Sequence, residues 1–103
     1  MQNSIREKKY LKTIGHNLKP VVIVSHKGLS DNIKGEIDRA LNDHELIKIK
    51  IIAAQRGDRK DIIKQICKHH DADCVQSIGH MALIYRPSKN INPRLSNLSQ
   101  SKP

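Results

Sequence analysis

Up to Tyr85, apolar residues recur in two rhythms, one near 3.6 residues and one of two, and the switches between them mark the elements. Tyr10, Leu11, Ile14 and Leu18 fall on one arc of a helix, with Lys8, Lys9, Lys12 and His16 on the opposite side. Ser4 followed by Glu7 has the spacing of a capping box and predicts the helix start. Pro20 ends the helix, because its ring disfavours helical geometry in the residue before it. Val21, Val22, Ile23 and Val24 then predict a short buried strand, and Ser25, His26, Lys27 and Gly28 a tight loop. Ser30 is placed to cap a second helix over residues 31 to 42, with Ile33, Ile37, Ala40 and Leu41 on one face and Gly35 on the outer side.

The period of two is clearest in Leu46, Ile47, Ile49 and Ile51, with Lys48 and Lys50 between them, which predicts a strand over 45 to 53. A turn at Gln55, Arg56, Gly57 and Asp58 leads to a third helix, capped by Asp58 and ending near His70. Its Ile62, Ile63, Ile66 and Cys67 point inward, and Arg59, Lys60, Lys64 and Lys68 outward. Residues 74 to 78 and 81 to 85 read as two strands joined by Gly79 and His80 in an antiparallel hairpin. The predicted order is α-β-α-β-α-β-β: one compact α/β domain over residues 1–87, with a mixed four-stranded sheet and three helices. Residues 88–103, rich in Ser, Asn, Lys and Pro, are expected to form a flexible basic tail, since they carry too little apolar surface to offset ordering.

Charge changes this picture from a fold into a binding problem. The 103-residue chain carries 19 Lys and Arg against 10 Asp and Glu, a formal charge of +9. The excess sits at the ends: residues 1–28 hold six basic side chains and one acid, and residues 86–103 hold four basic and none acidic. The middle is balanced, nine against nine. A polyanionic partner is favoured through attraction and counterion release, nucleic acid ahead of a membrane surface. With no Trp, no Phe and two Tyr, the chain cannot build the aromatic platform on which some RNA-binding sheets stack bases. The polar start from Met1 to Lys9 lacks the apolar centre of a signal peptide, and Cys67 and Cys74 read as free thiols in a reducing, cytoplasmic setting.

Three blocks carry a family resemblance: Leu18-Lys19-Pro20-Val21-Val22, His44-Glu45-Leu46-Ile47-Lys48-Ile49-Lys50, and Val75-Gln76-Ser77-Ile78-Gly79-His80 followed by Tyr85-Arg86-Pro87-Ser88-Lys89. In this order and spacing the chain resembles the YhbY family, the bacterial stand-alone form of the CRM domain (chloroplast RNA splicing and ribosome maturation). The resemblance implies an α/β domain shaped like the C-terminal domain of bacterial translation initiation factor three. It also implies RNA binding through a Gly-x-x-Gly loop after the first strand, and association with precursors of the large ribosomal subunit. That loop falls on Ser25-His26-Lys27-Gly28, where Ser25 stands in place of the usual first glycine.

The candidate RNA-binding residues are therefore Ser25, His26, Lys27 and Gly28 in the loop, Lys8, Lys9, Lys12 and Lys19 on and after the first helix, and Arg86. A loop that clamps a sugar-phosphate backbone needs close-approaching amides, and a helix N-terminus behind it favours anions. Arg86 has two readings, a phosphate contact or an ion pair with a carboxylate. Lys48 and Lys50 are left out of the site. The expected partner is RNA, in the form of ribosomal RNA in large-subunit precursors, with no membrane, cofactor or small-molecule substrate, and a monomer is expected. Two alternatives compete with this non-catalytic reading. One is an adaptor docking on ribosomal proteins. The other is a zinc enzyme using Cys67, His69, His70 and Cys74, which lack the paired spacing of strong zinc sites.

Overall fold

A computed structural model describes residues 5–25, 28–52, 56–88 and 96–100. Helix α1 (Ile5–His16) leads into strand β1 (Pro20–Val24), followed by α2 (Asp31–His44), β2 (Leu46–Ile51), α3 (Arg56–His70), β3 (Asp73–Ile78), β4 (Met81–Tyr85) and a single turn, α4 (Asn97–Gln100). The strands form one mixed sheet in the order β1-β2-β4-β3, with β1 parallel to β2 and both β2 and β3 antiparallel to β4. The predicted fold class and element order are those observed.

Each face of the sheet carries its own core. On one face, Val22, Val24, Ile47, Ile49, Ile51, Ala82 and Ile84 pack with Ile37 and Leu41 of α2 and Ile62 and Ile66 of α3. On the other, Leu11 of α1 packs with Leu46, Val75, Leu83 and Tyr85, and Ile14, Leu18 and Leu98 close its edges. The period-two pattern of β2 thus serves both sides, sending Ile47, Ile49 and Ile51 to the larger core and Leu46 to the smaller. Tyr10 departs from its predicted place: it is 42% exposed. It stands at the margin of an arc that Leu11 and Ile14 already fill.

Gly15 sets how closely α1 approaches the sheet. A Cβ there would stand 2.3 and 2.5 Å from the two methyl carbons of Leu83, so any larger residue forces the helix outward or displaces Leu83.

Three joints differ from the sequence reading. α1 closes at His16, so Leu18 lies past the helix whose arc it was expected to share. α2 runs on to His44, and the predicted first strand residue, Glu45, instead ends the helix at φ 63°, with its N–H donating to the Leu41 carbonyl. α3 begins at Arg56, so Asp58 sits in the first turn, where its carboxylate complements the helix dipole, rather than at the cap.

Within residues 88–103, expected to form a flexible basic tail, residues 96–98 make contacts with the domain. The Glu45 carboxylate is buried and accepts from the Ser88 amide (3.0 Å) and the Ser96 hydroxyl (2.8 Å), while the Asn97 side-chain amide donates to the Leu46 carbonyl (2.6 Å). With Leu98 against the smaller core, these bonds offset the ordering cost that composition alone suggested would win. Residues 89–95 and 101–103 lie outside the described residues. Among the described residues, no helix is long and apolar enough to cross a membrane.

Candidate nucleic-acid interface

Since β1, β2 and β3 all run the same way, their C-terminal ends share one edge of the sheet. The loop leaving β1 sits at that edge, immediately ahead of α2. Its ends are built as the chemistry requires. Gly28 has φ +83°, in the left-handed region, and nothing lies within 4 Å of where a Cβ would be, so the demand for glycine comes from the backbone and not from crowding. The Gly28 amide donates to the Ser25 carbonyl at 2.9 Å, closing the turn. Ser25 is exposed and is not among the residues with positive φ, so a serine fits this position without backbone strain. His26 and Lys27 lie outside the described residues.

Behind the loop, Ser30 caps α2 as predicted. Its backbone is extended (φ −77°, ψ 166°), its hydroxyl accepts from the Ile33 amide at 3.2 Å, and its carbonyl accepts from the Lys34 amide at 2.9 Å. This fixes a helix N-terminus, with its partial positive charge, next to the loop. Asp31 occupies the first turn of the same helix.

The second predicted group lies on a different part of the surface. Lys8, Lys9 and Lys12 are exposed on α1, and Lys19 is exposed just before β1. α1 spans the sheet face opposite α2 and α3, over Leu46 and Tyr85, which pair at the end of the sheet away from the loop. The structure therefore separates the loop from the α1 lysines and leaves part of a sheet face between them. Lys48 and Lys50, set aside in the sequence reading, stand on that face. The signal was present in their alternation with Ile47, Ile49 and Ile51, but the extent of α1's coverage could not be read from it.

Of the two readings of Arg86, the ion pair with a carboxylate is the contact present in the structure. The Arg86 guanidinium donates to the Asp38 carboxylate (2.9 Å) and backbone carbonyl (3.2 Å), to the His70 carbonyl (3.0 Å) and to the Asn42 side-chain oxygen (2.9 Å). With its donors committed to α2 and the end of α3, it ties the last strand to both helices. Asp38 also contacts Nδ1 of the buried His70 at 3.0 Å. Hydrogen bonds from Arg86 and then His70 hold the Asp38 carboxyl below its ordinary range.

The cysteine and histidine cluster does not assemble. His70 is turned to Asp38, His69 is exposed, and among the described residues no three His, Cys, Asp or Glu side chains group as metal ligands. Burial pushes the Cys67 thiol up to about 11 and raises that of Cys74, so both remain protonated near neutrality and behave as small apolar side chains.

Comparison with known proteins matches residues 4–86 to the CRS1 / YhbY (CRM) domain. A Pseudomonas aeruginosa protein named as a probable RNA-binding protein is 50% identical over 94 residues, covering 91% of this chain and 90% of that one. A Haemophilus influenzae protein named as an RNA-binding protein is 41% identical over 92 residues, covering 89% and 93%. The solution structure of a Staphylococcus aureus protein, itself proposed to bind RNA, superposes with a TM-score of 0.76 at 30% identity, covering 86% of this chain and 93% of that one.

Proposed function

Because the chain belongs to the CRS1 / YhbY (CRM) domain family, we propose that it is a non-catalytic RNA-binding protein that acts as a monomer in the cytoplasm on precursors of the large ribosomal subunit. The observation that carries the mode of binding is the position of Gly28. It is a left-handed residue in a turn closed onto Ser25, set directly before a capped helix N-terminus. Such a loop offers backbone amides to phosphate oxygens, with Lys27 adding charge and Ser25 a hydroxyl. Lys8, Lys9, Lys12 and Lys19 extend the positive surface. Binding through these groups reads the shape and charge of a folded RNA, and it weakens steeply as salt rises.

Co-sedimentation with ribosomal particles tests this reading, comparing the wild type with Lys27→Glu at low and moderate salt. Enrichment of the wild type in large-subunit precursors, lost in the variant, is the expected result. Association that survives both the charge reversal and the higher salt would refute it and favour docking on a ribosomal protein.

A further inference from the structure

The sheet face under α1 is only half covered. α1 ends at His16, and beyond it Ile23, Lys50, Met81 and Ile78 align in register across β1, β2, β4 and β3. Ile23 is 56% and Ile78 64% exposed. The register row behind it is Lys48, Leu83 and Gln76. Between these rows and the end of α1 lies a cleft of about 190 Å³, walled by Gly15 and His16 and floored by Met81 and Leu83, with His16, Lys48 and Gln76 supplying its polar groups. No carboxylate lines it among the described residues.

We propose that this cleft receives a single nucleobase of the bound RNA, with Lys48 and Lys50 holding phosphates beside it. The inference rests on the RNA-binding reading and adds a base-reading site to a backbone clamp. Three observations favour a base over a protein segment. The cleft is small and opens on the face of the sheet, over β2, β4 and β3, whereas an extended peptide adds by pairing with the backbone of an edge strand. The row that flanks it runs to Ile23, two residues before Ser25, so a strand of RNA held at the loop has a short path to Lys50 and the cleft. The lining combines an aliphatic floor with the Gln76 amide, which offers both a donor and an acceptor to a base edge. A second copy of this chain is disfavoured, since it would set lysines against lysines.

Aromatic platforms hold bases on an open sheet by stacking on one side. A chain without Phe or Trp does not have that option, but a cleft surrounds a ring with aliphatic contacts, and dispersion is gained in proportion to the atoms touched. Gly15 is what keeps the cleft close-walled, because it lets α1 sit directly on Leu83.

The test follows backbone amides of the isotopically labelled full chain by NMR during titration with an RNA hairpin bearing an open loop, the same hairpin with its loop bases removed, and a poly-glutamate peptide. The intact hairpin is expected to shift amides at residues 76 to 83 as well as near the β1–α2 loop, and to bind about three- to tenfold more tightly than the abasic one. In the double variant Gln76→Ala/Ile78→Ser, both at surface positions, the two hairpins bind alike. Equal shifts at the cleft with the abasic hairpin, or displacement of RNA from the cleft by poly-glutamate, overturn the proposal. Shifts at the loop alone overturn the base site and leave RNA binding standing; shifts at neither overturn both.

Discussion

The two faces of this sheet are built from the same kinds of residue and used differently. The face under α2 and α3 is sealed: Ile47, Ile49, Ile51 and Ile84 are each at most 1% exposed. Under α1, the same aliphatic chemistry is packed around Leu46, Val75, Leu83 and Tyr85, and is left open at Ile23 and Ile78. One face therefore holds the fold together, and the other offers surface. An apolar residue in a strand carries stability only where a helix covers it.

The most direct way to break that comparison is to truncate equivalent side chains on each face. Ile49→Ala is expected to cost about 3 to 4 kcal/mol in chemical denaturation, because it leaves a cavity under two helices. Ile78→Ala should stay within about 0.5 kcal/mol. A large loss at Ile78 would mean that the open face is covered in solution.

Arg86→Ala sharpens the comparison from the sealed side, since this guanidinium binds the last strand to the two helices of that face. Its loss should cost about 2 kcal/mol, with Arg86→Lys recovering less than half because an ammonium cannot span the carboxylate and two carbonyls together. Acid separates the pair further. The Asp38 carboxyl is held below its ordinary range in the folded state, so its contribution is complete above about pH 4 and is lost as pH falls through the folded value. Stability below that pH should fall less steeply in Arg86→Ala than in the wild type, as read from thermal midpoints. The smallest effect belongs to Gly35, exposed on α2 with open space around it: Gly35→Ala should stabilise the domain by about 0.5 to 1 kcal/mol without touching either face.

Much of this was legible in the chain because local rules and tertiary structure agree. The alternation in Leu46 to Ile51 and the serine cap at Ser30 correspond to an observed face and boundary, while the first helix closes at His16, ahead of the stop expected at Pro20. What escaped the sequence depended on contacts far along the chain. Glu45 reads as a strand residue until Ser88 and Ser96, more than forty positions away, are seen to donate to its carboxylate. Arg86 reads equally as a phosphate ligand or an ion-pair partner, because nothing local shows that Asp38, Asn42 and the end of α3 converge on it. For the candidate site, loop chemistry was visible in four consecutive residues. The open face was not, since half-coverage is set by where α1 ends in space.

The contact between Gly15 and Leu83 joins two positions into one volume. A change at either is felt at the other: an alanine at 15 pushes the Leu83 side chain toward the cleft it borders, or lifts the helix. Because the contact is purely steric, with no charge or hydrogen bond at the junction, changes of acid and salt do not act on it directly.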